Sequence, residues 1–579
     1  MKSFFVFLLF ACFWGIPGGA AELRYFVSAR GRDSNDGLSE ASPFKTLARA
    51  VRAASAAENA PAAEEEDSLI RTIIVLGALE GKGEPVIDKT SVFCIKDSGP
   101  AEITIRGKNG AQLLGRGRDF VLTGSPLELQ TAGGKPLELD SGDYRKGKRV
   151  ISVTGNSRIR FADIEISRGI TEGHGGGLLV SRGASVIMES GVIRSNAATL
   201  GGGVFVTEYG SFILRGGSIR GNTAGDGGGA AFLRGTCLMD GGDITGNAGS
   251  RGGGFWAAYG STVVFTGGEI AGNDASDYGG GIAVNEASLT LAGNAAVRNN
   301  KALRGGGLFI RHEGFLPGQG VTIQGGVVEG NETGVYNGGG SYNGGGGVYN
   351  DGVFAMHGGV VRRNKALGDY YAGYGGGIFI GREKSFFFSG GSIEENYAEQ
   401  DGGGVYADEK SEMLAVKRSP TAGIVKNRAA FGGGIYVQRA SVTLLAGNIG
   451  ENKAEYSGGG VVVDGGIFEM RGGEIGGNIV EGARVISAEG EIRHGDRQGG
   501  GVLLYRRGVF RFYGGTLKGN VAGLGDAVMA GPNGFFEMYG GEIRDSDNMP
   551  VFVDPEGRFE QTGGSIEGDV ARPVNRPGV

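Results

Sequence analysis

The chain has 579 residues, with 57 Lys and Arg against 63 Asp and Glu and a formal net charge of −6. The signs are mixed and no basic patch carries interleaved aromatics, which excludes nucleic acid as the expected partner. Glycine supplies 120 residues without a strict three-residue period, so a collagen-like fibre is excluded, and apolar residues that recur on schedule exclude disorder.

The first 21 residues, MKSFFVFLLFACFWGIPGGAA, carry a lysine, an apolar run and small residues at Gly19 and Ala21. They read as a secretory signal peptide cut before Glu22, too short to span a membrane stably. Leu9-Phe10-Ala11-Cys12 is a loose match to a lipoprotein box, so a lipid anchor at Cys12 is the alternative to simple cleavage. The expected location is therefore exported, either secreted or associated with the cell surface or outer membrane. No second apolar stretch of about 20 residues follows, so no transmembrane segment is expected. Only Cys94 and Cys237 remain after cleavage, several coils apart, and no disulfide framework is indicated.

Residues 22–150 read as an opening and cap region with the first coils. A strand at the start leads through a Gly/Asp/Asn loop to Phe44–Ala54, where apolar residues fall at helical spacing behind Pro43. This short helix is expected to cover the open end of the first coil, because an exposed parallel edge invites aggregation. Strands are expected at Thr72 to Leu76, Ile103 to Arg106, Arg149 to Val153 and Arg158 to Ile166. The acidic run Glu64 to Asp67 reads as a solvated loop.

Residues 151–570 are the repeats. A triple glycine begins at Gly175, Gly201, Gly227, Gly252, Gly279 and Gly305, at spacings of 26, 26, 25, 27 and 26. It returns at Gly345, Gly375, Gly402, Gly432, Gly458 and Gly499 after some longer gaps. Each unit runs from GGG through two alternating stretches to GG-x-Ile-x-x-Asn, as in Gly201 to Asn222 and Gly252 to Asn273. Alternation of period two in short runs means strands, three to a unit. One unit cannot bury its apolar face alone and stacked units can, so the expected fold is all-β: a right-handed parallel β-helix solenoid, with handedness taken from the crossover rule. Counting from Gly175 to Asp569 gives about 14 coils, which at ~4.8 Å per coil make a rod roughly 65–70 Å long. The asparagines that recur at one turn, from Asn196 to Asn520, predict a structural ladder, since Asn tolerates left-handed angles and bonds local backbone. Cys237 falls in the inward column of Phe212, Val263 and Phe354 and is expected in the core. Residues 571–579 form a Pro-rich tail.

Three insertions interrupt the period, Glu332 to Asn343, Lys365 to Tyr374 and Ile479 to Gln498. All follow the Asn turn, which puts them on one edge, and one-sided insertions on a solenoid mark a binding face.

In the strand after each GGG the first and third positions are apolar and should point inward, so the middle position should face out. It holds Phe205, Trp256, Phe309, Tyr349, Phe379, Tyr406 and Tyr436, an expected stripe of exposed aromatics and the candidate ligand-binding residues; packing within cross-coil stacks is the alternative. Three positions on, charge alternates by coil (Arg182, Glu208, Arg234; Glu286, His312; Arg382, Glu409, Arg439), as a surface ion-pair ladder would require.

The best catalytic grouping is Glu286, Arg311, His312, Glu313, Asp351, Arg382 and Asp408. Glu286, Asp351 and Asp408 are the candidate Ca²⁺ ligands, because Ca²⁺ takes oxygen donors on neighbouring coils. Asp351, Glu313 and Arg382 are the alternative catalytic residues, with an arginine positioned to remove a proton beside an uronate carboxylate. No HExxH, GxSxG, P-loop or paired CxxC motif is present. The four histidines (His174, His312, His357, His494) are scattered, which argues against zinc.

GGGI at Gly279 to Ile282, Gly375 to Ile378 and Gly432 to Ile435, with Ile-x-x-Asn at Ile219 to Asn222 and Ile270 to Asn273, resembles the passenger repeats of chlamydial polymorphic outer-membrane proteins. That family repeats a GGA-aliphatic and a Phe-x-x-Asn tetrapeptide; here Ile replaces Phe. The resemblance implies a β-helix surface protein, without the autotransporter barrel in which family members end. The opening YFVSARGRDSNDG…SPFKTLARAV resembles the start of pectin-lyase-like β-helix proteins, which implies the fold and carries over no catalytic residue. The expectation is thus a secreted or cell-surface bacterial binding protein of adhesin type, with no catalysis, no cofactor and a polysaccharide or a host or cell-surface protein as partner. The alternatives are a Ca²⁺-dependent polysaccharide lyase or glycoside hydrolase, and a structural spacer.

Overall fold

The computed structural model describes residues 22–56, 70–80, 93–96, 102–114, 149–155, 157–313, 319–334, 344–368, 373–415, 423–481, 497–544 and 549–572. The signal peptide, Cys12, the Glu64 to Asp67 run, His494 and residues 573–579 of the tail lie outside them.

Among the described residues the named strands all pair in parallel, and in the repeat coils each pairs with its counterpart one coil away, as in Val204↔Ala230, Phe212↔Cys237 and Ile219↔Ile244. Alternation in the sequence becomes alternation of side chains: in Ser211–Leu214, Phe212 and Leu214 are buried and the residues between them are half-buried. The inward residues of all coils form one continuous core. Cys237 lies in it, and burial pushes its thiol well above the usual range. The core is all-parallel and the strands of its repeat coils are short, which is the expected solenoid.

A coil contains four strands rather than the three read from the sequence. In the coil beginning at Gly201 they are Val204–Thr207, Ser211–Leu214, Ser218–Arg220 and Thr223–Asp226. The fourth, here called the arm strand, belongs to a separate 11-stranded sheet. It carries no apolar alternation, and it forms because its backbone pairs with the equivalent segment of the next coil. Second and third strands belong to one 33-stranded sheet. The long strand Glu102–Leu114 joins them, pairing with Arg158–Ala162 along one half and with Ile164–Ser167 along the other.

At the front, the helix Leu47–Ser55 is capped by the Thr46 side chain, which accepts from the Arg49 backbone N–H. Asp33 holds the cap in place by accepting from the Lys45 and Thr46 backbone N–H groups at 2.9 and 2.8 Å. Leu47, Ala50, Val51, Ala53 and Ala54 are buried, and the Tyr25 hydroxyl donates to Ala53 O at 3.2 Å. The helix starts three residues later than Phe44, whose ring stacks on Tyr25 instead.

The asparagine ladder forms as expected. Asn222 donates from Nδ2 to Asn247 Oδ1 at 3.0 Å and to Ile193 O at 3.0 Å, and its own Oδ1 accepts from Asn196. The same pattern continues to Asn520, with every member buried.

Candidate functional site

The turn from arm strand to first strand decides what lies over the outward face of the first sheet. Gly279 has φ 63°, and a Cβ there would lie 2.3 Å from Ile282 O, so only glycine lets the chain fold back so tightly. In several coils the residue before the triple glycine is thereby laid over the aromatic column. Leu200 packs in one buried cluster with Leu179, Phe205, Ala231, Trp256, Ala258 and Ala283. The Arg251 guanidinium sits 5.6 Å over the Trp256 ring, Tyr278 stacks on Phe309 at 4.6 Å, and Tyr374 lies 4.9 Å from Tyr406.

This corrects the expectation of an exposed stripe. Phe205, Trp256, Phe309, Phe379 and Tyr406 are buried, and Tyr349 and Tyr436 are half-buried. From Phe309 the column is a stack: Phe309–Tyr349 at 5.4 Å, Tyr349–Phe379 at 4.6 Å, Phe379–Tyr406 at 5.1 Å and Tyr406–Tyr436 at 5.5 Å. Within this stack Tyr349, Phe379 and Tyr406 each have a ring on both faces, so the column packs on itself rather than standing free. The Tyr406 hydroxyl donates to Gln438 Oε1 at 2.7 Å and that of Tyr436 to Asp464 Oδ2 at 3.1 Å, while burial raises both phenols.

The charged turn positions behave as an ion-pair ladder. Arg182 meets Glu208 at 3.4 Å, Glu286 meets His312 at 2.8 Å and Arg382 meets Glu409 at 3.5 Å.

The acidic grouping divides into separate pairs. Glu286, Arg311, His312 and Glu313 come together: Glu286 holds His312, Arg311 binds Glu313, and the Glu313 backbone N–H donates to Glu286 Oε1. Asp351 faces Lys384 at 3.8 Å, and burial raises its carboxyl more than that lysine lowers it. Arg382 turns to Glu409, and Asp408 accepts from the Glu409 backbone N–H at 2.7 Å. Among the described residues no three His, Cys, Asp or Glu side chains converge to hold a metal ion. Glu286, Asp351 and Asp408 therefore do not make the expected Ca²⁺ site, because each carboxylate is engaged on its own coil or the next. The proposed lyase set of Asp351, Glu313 and Arg382 is likewise dispersed over three different partners.

Sequence reasoning missed the arm. There Arg251 binds the buried Asp226 through two bonds of 2.7 and 2.6 Å. Asp401, also before a triple glycine, has its carboxyl raised to about 7 by burial and by the charge of Asp464. Asp464 is itself buried and lies 3.5 Å from Arg506. Farther along, Phe431, Tyr456 and Ile479 are exposed on consecutive arm strands. A signal did exist for Tyr456: the interval from Asn to GGG is six residues at Asn452–Gly458 and five at Asn427–Gly432.

Among the described residues no helix is long and apolar enough to cross a membrane. No curated protein and no solved structure matches the chain. Residues 149–350 match the family model described as a right handed beta helix region, and with the all-parallel stacking of the coils this gives the fold as a right-handed parallel β-helix.

Proposed function

We propose that this β-helix protein is exported to the bacterial surface or medium and binds a polysaccharide or a surface protein there, in an adhesin-like and non-catalytic role. The coils are the rigid shaft and the arm side carries the contacts. One positional observation carries this reading. From the ladder asparagine to the next triple glycine the sequence runs 14, 11 and 21 residues at Asn331–Gly345, Asn364–Gly375 and Asn478–Gly499, against five or six in the other coils, so these three insertions share one corner. Insertions gathered at one corner of a solenoid are the usual form of its binding face. Export rests on the first 21 residues, as does the alternative anchor at Cys12. The likeness of GGGI and Ile-x-x-Asn to the polymorphic outer-membrane passenger repeats supports a surface role.

The test is to replace 335–343, 369–372 and 482–496 with short Gly-Ser links, singly and together, in the mature chain. Binding to immobilised polysaccharides and to intact cells is then measured beside thermal melting. The triple replacement is expected to weaken binding to intact cells while the melting curve stays near that of the parent. Unweakened binding would refute the role of the insertions, and a parent chain that binds no surface would refute the reading. A second reading, a spacer that binds nothing, is favoured by the packed aromatic column, and it predicts silence from the parent chain on every surface.

A further inference from the structure

The arm strands mostly present charged or small residues to solvent, as at Asp274, Lys301 and Lys365. Arg428–Phe431, Lys453–Ser457 and Ile479–Val480 differ. Phe431 is 37% exposed, Tyr456 51% and Ile479 36%, on three consecutive coils. Tyr456 owes its position to the six-residue interval. The register shifts between Ala429 and Phe431, Phe431 pairs with Ser457, and the extra residue is turned out. Bulges that re-aim a side chain recur beside functional sites.

The rings of Phe431 and Tyr456 lie 5.3 Å apart and are tilted by 32°. Both side chains are partly exposed, and the rings are more tilted than those stacked from Phe309 to Tyr436. Beside them Arg428 is held by Glu455 at 3.1 Å and Glu481 at 2.9 Å. The Arg497 backbone N–H donates to Tyr456 O at 2.9 Å and fixes the turn behind the ring. The patch thus sets two aromatic faces next to a pre-ordered group of donors and acceptors.

We infer that this patch, Phe431 and Tyr456 with the Arg428–Glu455–Glu481 group, is a glycan-binding site. A pyranose ring has an apolar C–H face that suits an aromatic plane and a hydroxyl edge that suits carboxylate and guanidinium. Ordered polar groups beside an apolar face are the general form of a small-ligand site. Because the ion pairs already hold these side chains, less ordering entropy is lost on binding. Arg428 is taken up by two carboxylates and offers no unpaired charge to a polyuronate, which favours neutral or N-acetylated sugars. Three coils span about 10 Å between the outer two, room for a short run of sugar units. The site rests on the binding role proposed above and names its ligand class.

The experiment uses the full mature chain on N-acetylglucosamine oligomers, a neutral mannan and polygalacturonate. The variants are Tyr456→Ser, Phe431→Ser with Tyr456→Ser, and Tyr456→Phe. The double variant is expected to lose binding to the neutral or N-acetylated glycan by about tenfold or more. Tyr456→Phe keeps it, and the melting curve of Tyr456→Ser stays near that of the parent because half of that side chain is exposed. Binding by the double variant within twofold of the parent overturns the site, as does a preference for polygalacturonate. If the double variant binds and the insertion-replaced chain does not, this site fails and the binding role stands. If the parent retains no glycan at all, the site fails, and binding to intact cells decides the broader role separately.

Discussion

Asn300 donates from Nδ2 to Asn331 Oδ1 at 2.9 Å across 31 residues of chain. Asn331 repeats the bond to Asn364 at 2.9 Å, donates to Val297 O at 3.0 Å, and accepts the Asn300 backbone N–H at 3.0 Å. The longer gap between Asn300 and Asn331 is accommodated without loss of the ladder, so register is held at this turn while loops elsewhere vary in length.

Replacing Asn331 with Ala should therefore be costly. The bonds it makes and accepts are buried and cannot be returned to water. Each buried group left unsatisfied costs about 1–3 kcal/mol. The expected result is a marked drop in melting temperature and raised amide exchange confined to the coils on either side, read by mass spectrometry. Exchange equal to the parent in those coils would contradict the ladder's role.

Trp256→Ala, which an exposed stripe would make a binding variant, is expected to be a stability variant. The ring is buried under the arm with Arg251 above it. Removing a buried large aromatic costs about 3–5 kcal/mol. A lowered unfolding midpoint in urea is the expected outcome. Unchanged stability with lost ligand binding would restore the exposed-stripe view.

Gly279→Ala tests the fold-back itself. The added Cβ meets the Ile282 carbonyl oxygen at 2.3 Å in a left-handed backbone. Strain of this kind costs about 1–3 kcal/mol before any backbone shift. Release of the arm should expose Tyr278, which lies over Phe309 in the native coil, and raise its accessibility to nitration. Gly183→Ala is the control, since a Cβ there meets nothing within 4 Å although its φ is also positive, at 77°.

Asp401 makes stability depend on pH. Its folded-state carboxyl titrates at about 7, raised chiefly by burial, against a usual value of 3.8. Between these values the unfolded chain releases the proton and the folded chain keeps it, so stability falls as pH rises from 4 to 7 and levels off above. The contribution is of the order of a few kcal/mol. Asp401→Asn should remove it: the variant melts higher than the parent at pH 8, and the difference shrinks toward pH 5. A constant difference across that range would show that Asp401 ionises normally.

The repeat, the strand faces of the core and the asparagine ladder were legible in the sequence because each is a local pattern copied from coil to coil. Phe212, Cys237 and Val263 share one inward position, and Asn222 and Asn247 one turn. The opening helix was legible from its own periodicity, apart from Phe44.

What covers the outward face of the first strands was decided only by the tertiary structure. The covering residues are Leu200, Arg251, Tyr278 and Tyr374, which share no chemistry and show no apolar period. Their placement over the column follows from a left-handed glycine that folds the arm back, a property of the backbone path that side-chain pattern does not encode. The same holds for the charged grouping. Glu286, Asp351 and Asp408 lie on nearby coils in any solenoid, yet His312, Lys384 and the Glu409 backbone draw them to separate partners. Spacing along the chain determined which coils these carboxylates occupy; the turn geometry of each coil determined that they do not meet.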